Sequence, residues 1–100
     1  MIDLPPRHLD TVRNILRRHV PECEVRAFGS RVTGRAKSYS DLDLAVVGPG
    51  RLSEETLRLL REAFEESDLP FRVEVIDWHS TAADFQEVIE RENEIVWPMG

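Results

Sequence analysis

Leu9, Val12 and Leu16 recur at helical spacing, with His19 as a boundary residue on the same face and Ile15 and Val20 widening the stripe. Arg13, Arg17 and Arg18 fall mainly on the wetter side, Pro5-Pro6 suits a first helical turn, and Pro21 ends the helix. Val25–Phe28 then reads as a short strand leading to Gly29, and residues 31–37 as one or two weak helical turns interrupted by Gly34. Leu42, Leu44 and Val46 alternate with Asp41, Asp43 and Ala45, which is the period of a strand. Gly48-Pro49-Gly50 breaks that strand. Ser53 is a helix cap ahead of Glu54 and Glu55, and Leu57, Leu60, Ala63 and Phe64 supply the apolar face of the helix that follows. Phe71–Ile76 predicts a third strand, with Val73 and Val75 on one face and Arg72, Glu74 and Ile76 on the other. A last helix is expected over Thr81–Arg91, with Thr81 and Asp84 as a capping box and Ala82, Phe85, Val88 and Ile89 as its buried stripe. The tail, residues 94–100, is apolar enough to pack on the core or on a partner. The order of elements predicts one α/β (α+β) domain over residues 1–100, a small mixed sheet with helices packed mainly on one face.

A chain of 100 residues that is 41% hydrophobic can bury one core. It contains no apolar run of the ~18 residues a membrane span needs, and the N-terminal segment lacks the basic and apolar regions of a signal peptide. The lone Cys23 has no internal disulfide partner and no metal-ligand spacing around it. These features point to a cytoplasmic protein. The net charge of −6 is unevenly spread: residues 1–50 carry +2 and residues 51–100 carry −8. Such an acidic chain is a poor direct binder of nucleic acid, which requires clustered cations. The positive charge gathered at Arg31, Arg35 and Lys37 suits a smaller polyphosphate.

The candidate chemistry lies between Val25 and Gly48. Asp41 and Asp43 are two apart on a predicted strand, so both side chains leave one face with Cα atoms ~6–7 Å apart. Carboxylates so placed can share a hard divalent cation or hold two cations ~3.5–4 Å apart. Leu42 and Leu44 anchor the opposite face. Gly29-Ser30, at the end of the preceding strand, lets the backbone approach a phosphate and offers a hydroxyl and an amide. A third carboxylate would come from the third strand: Glu74 shares the parity that faces Asp41 and Asp43, whereas Asp77 falls on the other face unless the strand has ended. Glu74 is therefore the expected third acid, as a metal ligand or general base, and Asp77 the alternative. His8 and His79 have no partners at catalytic spacing, and Trp78 and Trp97 read as core or interface residues.

Gly29-Ser30, ten intervening residues and Asp41-Leu42-Asp43, with Gly34 and Ser40 at their internal positions, resemble the minimal nucleotidyltransferases of the DNA polymerase β superfamily. The resemblance covers most of the chain. It implies the nucleotidyltransferase fold, Mg²⁺ (two ions) on Asp41, Asp43 and the third acid, and a triphosphate held at Gly29, Ser30, Arg31, Arg35 and Ser40. It also implies transfer of a nucleoside monophosphate, usually AMP from ATP, to an acceptor hydroxyl with release of pyrophosphate. Relatives usually place an aspartate where this chain has Glu74. Minimal members are commonly paired with small helical HEPN proteins in toxin–antitoxin systems, in which the transferase is the antitoxin and adenylylates a tyrosine of the HEPN ribonuclease. A hetero-oligomer with such a partner, or a homo-oligomer, would follow.

A competing expectation is a binding module that neutralises a partner by masking it, motivated by the acidic second half and the apolar tail. Transfer to a small molecule or to tRNA ends is disfavoured by the size and the acidity of the chain, respectively.

Overall fold

Residues 2–99 are described by a computed structural model. Met1 and Gly100, the latter the last residue of the apolar tail, lie outside the described residues. The first helix, α1 (Pro6–His19), begins with proline where a missing N–H costs nothing, and its stripe buries Val12 and Leu16 completely. Strand β1 (Glu24–Phe28) runs into the single turn α2 (Ser30–Thr33), which Gly34 ends in the left-handed conformation at φ +84°. Strand β2 (Leu42–Val47) leads to α3 (Glu54–Glu65), whose cap Ser53 accepts a hydrogen bond from the Thr56 amide at 3.1 Å. Strand β3 (Val73–Asp77), a 3₁₀ turn (Trp78–Ser80), α4 (Ala83–Arg91) and β4 (Glu94–Trp97) complete the chain.

The sheet has the order β3-β2-β1-β4. β1 is antiparallel to both β2 and β4, and β3 is parallel to β2 across the α3 crossover. The inward-facing Val25, Ala27, Leu42, Leu44, Val46, Val75 and Val96 meet Val12 and Leu16 of α1 and Leu60 and Phe64 of α3 in one core. Helices α1 and α3 thus cover one face, as the pattern predicts. Burying the Val, Leu and Phe side chains of this core stabilises the fold by roughly 1.5–3 kcal/mol each.

The tail packs on the core through Val96 and Trp97, as expected, and it does so as a strand: residues 94–97 form the edge strand β4, and Arg13 of α1 donates to the Val96 carbonyl at 3.0 Å. Two expectations about the last helix change. The last helix starts later than Thr81 and has no capping box. Thr81 Oγ1 donates to the Asp77 carbonyl, and Asp84 accepts from the neighbouring Phe85 amide. The expected stripe of α4 is also mostly in solvent. Ile89 is buried, but Ala82 is exposed, and Phe85 and Val88 keep 41% and 52% of their surface. α4 lies on the second face of the sheet, where Ile89 lines a pocket together with Arg26, Val47 and Trp78.

Candidate active site

The open face of the sheet carries the site. β2 puts Leu42, Leu44 and Val46 into the core, so Asp43 projects from the opposite face. Asp41 stands one residue ahead of β2 and is exposed. In the parallel β2–β3 register Asp43 is directly beside Glu74, and in the antiparallel β1–β2 register it is beside Phe28. Gly29 then turns the chain out of β1 with φ +79°. A Cβ on Gly29 would collide with Asp43 Oδ2, so only glycine permits this approach of backbone to carboxylate.

The electrostatics bear on the same point. Burial raises the Asp43 carboxyl above its ordinary value, and the negative charges of Asp41 and then Glu74 raise it further. Three acids therefore repel one another across two strand ends. Glu74 is partly balanced by Arg72, whose Nη2 lies 2.6 Å from Glu74 Oε1.

Asp77 occupies the other parity and has a different use. It is buried, with Oδ2 accepting from the Leu52 amide at 3.1 Å and from Ser80 Oγ at 2.8 Å, and Oδ1 accepting from the His79 amide. It fastens the loop before α3 to the turn after β3, away from Asp43.

The expected phosphate ligands separate into two groups. Gly29 and Ser30 sit at the Asp43 end of β1 and β2, with the Ser30 carbonyl closing α2 through the Arg35 amide at 3.1 Å. Arg35 and Lys37 are exposed. Arg31 is not available in the way the sequence suggested: it is 4% exposed, and its guanidinium donates to the carbonyls of Ser40, Asp3 and Ser38 at 2.9, 2.9 and 3.0 Å. Ser40 accepts from the Lys37 amide through Oγ at 2.8 Å, so both its oxygens serve the turn that precedes Asp41.

Sequence reasoning passed over two aromatic residues. Phe28 flanks Asp43 and meets Phe85 of α4 edge-on at 5.8 Å, which forms an apolar wall beside the acids. Phe71 lies under the Arg31 guanidinium at 4.3 Å. The position of Phe28 just before Gly29 was a legible hint, whereas nothing local marks Phe71.

Comparison with known proteins adds to this geometry. The nucleotidyltransferase domain family matches residues 9–97. The chain is a minimal nucleotidyltransferase of the DNA polymerase β-like superfamily. This nucleotidyltransferase is 48% identical over 90 residues to the probable protein adenylyltransferase MntA of Haemophilus influenzae, covering 90% of this chain and 79% of that one. It is 40% identical over 63 residues to the terminal uridylyltransferase cid1 of Schizosaccharomyces pombe, covering 57% of this chain and 16% of that one. Its fold is similar to a chain in a toxin–antitoxin structure with AMP-PNP (TM-score 0.76, 22% identity, 91% of this chain and 73% of that chain). It is also similar to a chain in the structure of tri-AMPylated Shewanella oneidensis HEPN toxin with MNT antitoxin (TM-score 0.69, 20% identity, 93% and 71% covered).

The donor set suits magnesium, which keeps several waters and binds through one or two carboxylates plus substrate phosphates. Among the described residues no group of three or more His, Cys, Asp and Glu side chains forms a ready metal cage. The mutual repulsion at Asp43 is the charge environment a hard cation relieves. Among the described residues no helix is long and apolar enough to cross a membrane.

Proposed function

We propose that this nucleotidyltransferase is a Mg²⁺-dependent adenylyltransferase that moves AMP from ATP to a hydroxyl, a tyrosine, of a HEPN-type partner and so acts as its antitoxin. The observation that carries the reading is the closure of Gly29 onto Asp43, with Asp41 and Glu74 adding charge at the same place. The 48% identity to a protein adenylyltransferase supports a protein acceptor and AMP as the transferred group. The fold shared with HEPN-bound MNT chains supports the kind of partner.

In this reading Asp41 and Asp43 hold Mg²⁺, with Glu74 completing the site. Bound magnesium would neutralise phosphate charge and polarise the reacting phosphoryl group. The Gly29-Ser30 turn places the triphosphate against the carboxylates, and Arg35 adds positive charge from the surface. The acceptor oxygen bonds to the α-phosphorus, the bond to the β-phosphate oxygen breaks, and pyrophosphate leaves. The proton of the acceptor hydroxyl passes to a carboxylate, in this reading Glu74, and then to solvent.

ATP labelled in the α-phosphate, incubated with Mg²⁺ and a HEPN-type partner, should label that partner. Asp41→Asn with Asp43→Asn should abolish the labelling, and equal labelling by the double variant would reject the proposal. A masking role without catalysis is the second reading, supported by the exposed Phe85, Val88, Ile95 and Met99. Neutralisation of the partner that survives the double change would favour it.

A further inference from the structure

We infer that Arg31 is a positioning residue: its buried guanidinium latches the Gly29-Ser30 turn to the segment that delivers Asp41, and so sets the geometry on which nucleotide binding depends. This inference rests on the nucleotidyl-transfer reading above.

The latch joins four stretches of chain. Arg31 lies in α2, next to Ser30. Its Nε reaches the Ser40 carbonyl, immediately before Asp41, and its Nη2 reaches the Ser38 carbonyl in the same turn. Its Nη1 reaches the Asp3 carbonyl, while its own carbonyl accepts from the Asp3 amide at 2.7 Å, so the N-terminal stretch closes the assembly from outside. Beneath the guanidinium lies Phe71, two residues ahead of β3, and His8 of α1 meets that ring in a T-shaped arrangement with the centroids 5.8 Å apart.

A charged group that is 4% exposed is costly unless its donors are used. Here the three guanidinium nitrogens each donate to a carbonyl, and the planar face stacks on an aromatic ring. A lysine cannot reproduce that arrangement, because an ammonium is a point donor without a stacking face. Without Arg31 the turn ahead of Asp41 would retain the Ser40–Lys37 bonds and the Leu42 amide on the Arg72 carbonyl, but nothing in that set ties it to α2. Asp41 and Ser30 would then lose their fixed separation. The expected magnitude is that of residues that orient metal ligands, about 10–100-fold in affinity or activity.

The test uses Arg31→Met and Arg31→Lys in the full chain, with three readouts. Amide hydrogen exchange without nucleotide should speed up about tenfold or more at Ser40 and Leu42, whose bonds to the Lys37 and Arg72 carbonyls open more often once the turn loses its anchor, while Val25, Leu44 and Val46 in the sheet centre keep their protection. Affinity for a fluorescent ATP analogue with Mg²⁺ should fall about 10–100-fold in Arg31→Met, with Arg31→Lys recovering only a small part. On an Asp41→Asn background Arg31→Met should cost less than about threefold, because a residue that acts through Asp41 has little left to lose there. Unchanged exchange, full rescue by lysine, or losses that multiply independently would each overturn the inference, the last two indicating direct contact with phosphate. If Arg31→Met does not fold, Arg31→Lys supplies the same three readouts. If the unmodified protein binds no Mg²⁺-nucleotide, the functional reading fails, and the exchange experiment still decides whether the latch exists.

Discussion

Gly29 and Asp43 meet across the β1–β2 pair so closely that no side chain fits between them: a Cβ on Gly29 would strike Asp43 Oδ2, and the glycine φ is +79°. Gly29→Ala is therefore strained by its backbone and by the contact, and should lose about 1–3 kcal/mol of stability. Gly34→Ala has a similar φ of +84° but open space around it, so it should pay the backbone cost alone. Urea titration of the two variants checks the order, and only Gly29→Ala should also abolish transfer.

Asp43→Asn should stabilise the metal-free protein at neutral pH while eliminating activity. The folded-state carboxyl is raised by burial, then by Asp41 and Glu74, so its ionised form is the penalised one. Stability of the metal-free protein should fall as pH rises through that raised value and recover as pH drops below it. Thermal melts from acidic to neutral pH should show this slope in the unmodified chain and a flatter one in Asp43→Asn.

Glu74 and Asp77 should separate into a functional and a structural acid. Asp77→Ala leaves the Leu52 amide and the Ser80 hydroxyl without their acceptor and should cost about 2–4 kcal/mol. Glu74→Gln, on a half-buried position paired with exposed Arg72, should leave stability within about 0.5 kcal/mol and lower transfer. Denaturation and labelling measured together decide the assignment. A stable, inactive Asp77→Ala would reverse it.

The two apolar sides of α4 should respond differently. Ile89→Ala truncates a buried side chain and should cost about 2–5 kcal/mol. Val88→Ala, at a position 52% exposed, should cost under about 0.5 kcal/mol. Comparable losses would mean that Val88 is covered in solution.

Cys23 should be slow to react and should make the protein alkali-sensitive. Burial, with Glu22 close by, pushes its thiol up to about 11 from the usual 9.0. A folded-state value above the unfolded one gives stability that is complete below about pH 9 and is lost as pH rises toward 11. Cys23→Ala should remove that alkaline slope, and thiol-reagent kinetics should show little modification at neutral pH.

The residues determined the parts of this protein that depend on local periodicity. Leu42, Leu44 and Val46 can share a face only in a strand, and that alternation projected Asp43 outward. The same period at Val73 and Val75 gave Glu74 the matching parity and Asp77 the other, while the parallel register that sets Glu74 beside Asp43 came from the tertiary structure. Gly29 was legible because few other residues tolerate its backbone. Tertiary structure decided what depends on a distant partner. Residues 94–97 became a strand because the outer edge of β1 was free to pair, a fact absent from four residues of sequence. The stripe on α4 showed what could be buried, but one small stretch of sheet was available to bury it, so Phe85 and Val88 stayed in water. Arg31 looked like a phosphate ligand because charge usually seeks solvent or a ligand. Only the convergence of the Asp3, Ser38 and Ser40 carbonyls over Phe71 could turn that charge inward, since a guanidinium is buried at acceptable cost where the fold supplies acceptors for its donors.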